Sequence, residues 1–157
     1  MTSESQINEL LAYIDDSEAP DLALRLGQIN SPPGGEGEAG EYVLDWLQQN
    51  GIAALKQEVL PERYNAIGTL KGMGGGQSLI LNSHLDTAYG RPEDIWTAGR
   101  FNRGDLSAWA EGERVYGQSV VNDKAPMAAT LVAVKAIKQV GISLRGDLIF
   151  TGVAGEI

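Results

Sequence analysis

"ILNSHLDTAYG", residues 80–90, holds the only histidine of a 157-residue chain. Apolar residues lead into it, an aspartate stands two positions on, and a threonine follows. The overlapping "SLILNSH" (78–84) has the length and apolar content of a strand, which puts His84 at the strand's C-terminal end. Residues two apart on a strand point to one side, so the His84 imidazole and Asp86 carboxylate can be neighbours. A histidine that binds a metal usually gives its second ring N–H to a carboxylate, which fixes its tautomer. A lone strand-end histidine bonded locally to an aspartate fits the same spacing, and His-x-Asp alone leaves both readings open.

The flanking sequence alternates helix and strand signals. Ile7, Leu10, Leu11 and Ile14 recur at helical spacing, and Leu22, Leu24, Leu26 and Ile29 continue after Pro20, which predicts one or two N-terminal helices. The Pro- and Gly-rich "NSPPGGEGEAG" (30–40) opens a helix that carries Ala39, Val43, Trp46, Leu47 and Asn50 on one stripe and stops at Gly51. "AALKQEVL" (53–60) and "NAIGTLKG" (65–72) read as strands separated by Pro61. "GMGGGQ" (72–77) lacks the Lys-Ser/Thr ending of a phosphate-binding loop and reads as a flexible connection between strands.

Residues 88–114, with Trp96, Phe101 and Trp109, form a long, weakly patterned segment of the kind that is functional or covers something. "DKAPMAATLVAVKAIKQVG" (123–141) predicts a helix with Pro126 in its first turn and Gly141 at its end, apolar nearly all round and so buried on most sides. "GDLIFTGVAGEI" (146–157) reads as a buried strand that ends in a glycine and Glu156. The alternation predicts α/β layering around a mixed, mostly parallel sheet flanked by helices. No internal repeat is present.

Composition narrows the function classes. At 43% apolar and 21% charged residues the chain is globular in type. A formal charge of −9 opposes nucleic acid and anionic membranes as partners. The absence of cysteine excludes disulfides, thiolate metal sites and a cysteine nucleophile. No apolar run approaches the ~20 residues of a membrane span, and the polar, acidic "MTSESQINELLAYIDD" is unlike a signal peptide. A cytoplasmic setting is the default expectation.

Three further places could carry chemistry. Asn122 and Asp123 precede the apolar helix, where oxygen ligands to a metal and ordinary N-caps look alike in sequence. Lys124, in the first turn, opposes the helix dipole, so something other than helix stability placed it there. Glu156, at the C-terminal end of a strand, stands where ligands bind in open α/β sheets. Near a metal-activated water it could serve as general base, and the plain alternative is a solvated turn residue. No serine lies in a Gly-x-Ser-x-Gly elbow.

The order of these pieces is more specific than any one of them. "INSPPGGEGEAGEYVLDWLQQNG", "NAIGTLKG", "NSHLDT", "EGERVYGQSVVNDKAPMAA" and "LIFTGVAGEI" together resemble the co-catalytic zinc exopeptidases and deacylases of metallopeptidase family 20. That family includes carboxypeptidase G, acetylornithine deacetylase and succinyl-diaminopimelate desuccinylase. The resemblance covers nearly the whole chain and implies a zinc-exopeptidase-like α/β fold. By it His84 is a metal ligand, Asp86 the residue that orients it, and Glu156 the general base. Counted from Gly117, the family's metal-bridging aspartate falls on Asn122, and Lys124 matches the family lysine. Asp123 is the alternative ligand next door.

The family's second glutamate, a ligand, falls on Ile157, and Gln118 and Ser119 replace its Arg-Gly. An asparagine carbonyl can bind a metal but bridges two cations weakly. The expectation is therefore one divalent ion rather than two, zinc first, with manganese or cobalt as alternatives. Residues 1–157 are expected to be the N-terminal portion of a catalytic domain, incomplete at its C-terminus and inactive alone. The lid or dimerisation domain would lie elsewhere, and the resemblance implies a homodimer as one state open to the full-length protein.

The expected function is metal-dependent hydrolysis of a C–N bond in a peptide, N-acyl amino acid or related small amide or amine. The alternative is a non-catalytic binding or assembly module that keeps the fold without a working metal centre. Asn122 and Ile157 favour the module, whereas His84, Asp86 and Glu156 oppose it.

Overall fold

A computed structural model describes residues 4–87 and 107–156. Trp96, Phe101 and most of the long segment that holds them, like Ile157, lie outside the described residues. In chain order the helices α1 (Glu4–Tyr13), α2 (Glu18–Gln28) and α3 (Gly37–Gln49) precede the strands β1 (Ala53–Leu60), β2 (Arg63–Leu70) and β3 (Leu79–His84). A short hairpin, β4 (Trp109–Glu111) with β5 (Arg114–Tyr116), leads to helix α4 (Ala125–Gln139) and strand β6 (Leu148–Val153). The end of the segment read as one long loop is thus regular, with the Trp109 ring stacked on Tyr116 at 5.3 Å between centroids.

The sheet runs β1-β2-β6-β3. It is mixed, as expected, but its parallel share is smaller than the sequence suggested: β3 pairs β6 in parallel, whereas β1 with β2 and β2 with β6 are antiparallel. The cause is connection length. Pro61 and Glu62 alone join β1 to β2, and so short a link can only turn the chain back. Only the longer path from β3 through α4 to β6 allows a parallel crossover.

Burial alternates along β6, where Leu148, Phe150 and Gly152 are buried and their neighbours partly open. The buried side faces Leu131 and Met127 of α4, Val43 and Leu47 of α3, and Leu26 of α2, all in one core. Pro20 does not mark a break between helices. It lies in the first turn of α2, where the missing N–H costs nothing. Helix α1 differs from its expectation in another way: it buries no residue, and Leu11 is 60% exposed. Among the described residues no helix is long and apolar enough to cross a membrane.

This layering puts the ends of β3 and β6 side by side, with His84 opposite Val153 in register. The turn that enters α4 lies across those ends.

Candidate active site

His84 is almost fully buried and has defined partners on both ring nitrogens. Nδ1 lies 2.8 Å from the main-chain oxygen of Asp86. A carbonyl oxygen only accepts, so this bond puts a proton on Nδ1 and turns Nε2 toward the other side of the site. The Asp86 carboxylate is farther off, with Oδ1 3.7 Å from Nδ1. Asp86 therefore orients the ring through its backbone. Its side chain, wholly inaccessible, accepts from the amides of Gly155 and Glu156 at 3.2 Å each.

Nε2 meets the Oδ1 of Asn122 at 3.0 Å and stands 3.8 Å from Oε2 of Glu156. A proton on Nε2 donating to Oδ1, a cation shared between the two atoms, or a turned amide each accounts for so short a contact. Two ligands of a tetrahedral zinc, with bonds of ~2.0–2.1 Å, stand about 3.3 Å apart, so the pair fits neighbouring ligand positions. The donor types fit as well: a neutral imidazole nitrogen and a carbonyl oxygen suit a borderline divalent ion. They fill two positions only, and the described residues hold no group of three His, Cys, Asp or Glu able to bind a metal.

Geometry decides against the cap reading of Asn122 and Asp123. Neither α4 nor the wide turn Val120–Lys124 before it is capped by a side chain. Asn122 faces the imidazole, and Asp123 accepts from the His84 backbone N–H through Oδ2 at 3.3 Å. Asn122 has non-helical backbone angles (φ −135°, ψ 94°), and its peptide bond to Asp123 is cis. Of the two candidates, Asn122 is the one that faces Nε2 of the ring.

Lys124 is fully buried, and its ammonium donates to the Ile29 carbonyl at 2.6 Å. Burial pushes its pKa down from 10.5 to about 8, against a small upward pull from Glu38. Its place against the helix dipole thus ties the α4 entry to the loop after α2. The same loop is fastened to the end of β3: Ser31 Oγ donates to the Leu85 carbonyl at 2.7 Å, and Thr87 N–H donates to the Ser31 carbonyl at 2.9 Å.

Sequence reasoning did not single out Glu36, Arg63 or Asn65. The Glu36 side chain is inaccessible and takes the Arg63 guanidinium at two points, Nε to Oε2 at 2.9 Å and Nη2 to Oε1 at 2.6 Å. Burial drives the Glu36 carboxyl up, but the Arg63 bonds and the Gly34 N–H outweigh it and hold the pKa below the ordinary value. Asn65 Oδ1 accepts from the Ala154 N–H at 3.0 Å. These partners lie far apart along the chain, and no local pattern announces them.

An imidazole, an amide oxygen and a carboxylate thus converge where the strand ends of an α/β sheet of zinc-exopeptidase type meet. No family model matches the chain. It is 32% identical to an N-formyl-4-amino-5-aminomethyl-2-methylpyrimidine deformylase of Halalkalibacterium halodurans, over 97% of this chain and 36% of that protein. It is 33% identical to carboxypeptidase G2 of a Pseudomonas species, over 54% of this chain and 18% of that protein. Its fold is that of a metallo-carboxypeptidase of the M20 family from Sulfolobus solfataricus, with a TM-score of 0.69 at 17% identity, covering 89% of this chain and 31% of the other. The chain belongs to metallopeptidase family 20. It spans about a third of the length of the curated relatives it matches over most of its residues.

Proposed function

We propose that this chain carries a share of the active site of a metal-dependent hydrolase that cleaves a C–N bond in a small amide. The carrying observation is the convergence of His84 Nε2, Asn122 Oδ1 and Glu156 Oε2. His84 and Asn122 would hold a divalent ion, zinc before manganese or cobalt. Such an ion polarises a carbonyl and acidifies a water to a pKa of ~7. Glu156 is the general base. Its side chain is 55% exposed, so the carboxylate can take a proton from the nucleophile and pass it to the leaving nitrogen. Asp86 fixes the His84 tautomer with its carbonyl and holds the Glu156 turn with its carboxylate. One ion rather than two follows from Asn122, whose neutral amide bridges cations weakly.

For substrate class, the deformylase likeness extends over almost all of this chain and the carboxypeptidase G2 likeness over about half. We therefore favour a small N-acyl amine, with a formyl group the smallest acyl to test. The remaining ligands and a separate lid or dimerisation domain belong, on this reading, to a longer protein.

Glu156→Gln in the full-length protein tests the base. Metal content is expected to stay native while kcat falls by about 10²–10⁴-fold, the usual contribution of general-base catalysis. Native turnover in that variant ends the assignment. The neutral Asn122 favours the second reading, a non-catalytic module. Metal analysis after chelation and re-addition separates the two, because a module takes up no ion and shows no rescue.

A further inference from the structure

We propose that the Glu36–Arg63 ion pair is a positioning device for the turn that carries Glu156. It acts by bracing Gly155 from beneath while Asp86 holds the same turn by its amides. Its catalytic consequence rests on the reading of Glu156 as base; the brace itself does not.

The need for a brace is visible in the fold. Strand β6 ends at Val153, three residues before Glu156, so the sheet ladder no longer fixes the chain there. The Glu156 side chain is more than half exposed, and packing around it does little to place it. Its distance from His84 is therefore set by the backbone of residues 154–156. Three residues from two segments remote in sequence, β2 and the end of β3, meet that backbone. Asn65, on β2, takes the Ala154 N–H, and Asp86, past β3, takes the Gly155 and Glu156 N–H groups.

Arg63, at the start of β2, supplies the third contact. Gly155 has φ +80°, and a Cβ placed on it would lie 2.9 Å from Arg63 Nη2. The guanidinium therefore lies beside Gly155 in the space a side chain there would fill, so a side chain at 155 would push it aside. The same nitrogen is held by Glu36 at 2.6 Å, and Glu36 is fixed in turn by the Gly34 N–H at 3.1 Å. A planar fork bound at two points has one allowed orientation, unlike a lysine ammonium. The loop before α3 thus sets where the guanidinium sits, and the guanidinium sets how low the turn can settle. A pair whose carboxylate must be desolvated while its guanidinium stays partly exposed is weak evidence for net stability, and a geometric role accounts for it better.

The test uses the full-length protein with two variants, Arg63→Lys and the double substitution Glu36→Gln/Arg63→Gln. The double variant leaves no unpaired charge at the buried site, and Arg63→Lys keeps the charge while losing the fork. Amide hydrogen exchange is read first, on metal-free protein. Exchange at Gly155 and Glu156 is expected to quicken by about tenfold or more, with the amides of Leu131 and Phe150 unchanged. Arg63→Lys should fall between the double variant and the parent, and it decides alone if the double variant does not fold. On the loaded protein, metal content and KM should hold while kcat drops by about 10²-fold, the cost of a small misplacement of a catalytic group.

Native exchange at Gly155 and Glu156 overturns the proposal. So does an equal acceleration at Leu131 and Phe150, which makes the pair a general stabiliser. Locally faster exchange with native kcat supports the brace and instead removes Glu156 from the chemistry, so the two failures are told apart.

Discussion

Asp86 meets its surroundings through two groups with separate tasks, and one substitution can separate them. The main-chain oxygen holds His84 Nδ1 at 2.8 Å, whereas the carboxylate holds the Gly155 and Glu156 amides. Asp86→Ala keeps the carbonyl and loses the carboxylate. Metal affinity is therefore expected to stay within about threefold of native while kcat falls by roughly 10²-fold or more, because a carboxylate that oriented the ring itself would cost ~10–100-fold in affinity on removal. Competition with a metal-sensitive dye, run beside steady-state kinetics, reads both. Asn122→Asp has the opposite character. It puts a negative oxygen where a neutral one lies 3.0 Å from Nε2, so divalent-ion affinity should rise, as isothermal titration would show. That His84, Asp86 and Glu156 lie near one another was legible because strand spacing and strand ends place them, whereas their roles came only from the family resemblance. Which of Asn122 and Asp123 faces the imidazole was not legible, since a ligand and a cap share one residue type and only the folded turn sets which side chain points at the ring.

Among elements, the long periodic segments were read correctly, and the connections were read less well. The stripes of α3 and α4, with Val43, Leu47, Met127 and Leu131 buried, follow the helical period. Strand directions did not come from composition, because a two-residue link and a helical crossover dictate them. The glycine run at 72–77 does join two strands, but Gly72 in it and Gly146 in the loop before β6 are glycine for contact. A Cβ on Gly146 would lie 1.9 Å from the Gln77 carbonyl oxygen, and one on Gly72 would lie 2.4 Å from the Gly146 carbonyl oxygen. Backbone therefore packs on backbone where β3 and β6 begin. Gly146→Ala is expected to cost about 2–3 kcal/mol, at the upper end of overpacking, because neither neighbour is a movable side chain. Urea unfolding checks it: a midpoint within error of the parent would mean the two loops separate freely.

The stability of the whole molecule should depend on pH in a way that two buried groups dictate. Burial pushes Lys124 down to about 8 from 10.5, so between these values the unfolded chain binds a proton that the folded chain has lost. Stability rises with pH wherever the unfolded state holds more protons. The cost of charging Lys124 is fully present below pH 8 and is relieved as pH climbs toward 10.5. By about pH 10 the gain is about 2–3 kcal/mol. Tyr64 acts in the opposite sense. Burial raises its pKa above 10, and its hydroxyl donates to the Gly37 carbonyl at 2.6 Å. Its contribution is complete below pH 10 and is lost above it. Self-repulsion of a chain carrying −9 also grows with pH, but salt screens it. In ~0.5 M salt with chelator present, the urea-derived stability is expected to peak between about pH 9 and 10, above the usual range of ~5–8. Lys124→Met should flatten the rise between about pH 8 and 10 and leave the loss above pH 10 in place. A parent and variant with the same slope would mean that Lys124 keeps its proton in the folded protein and reaches water.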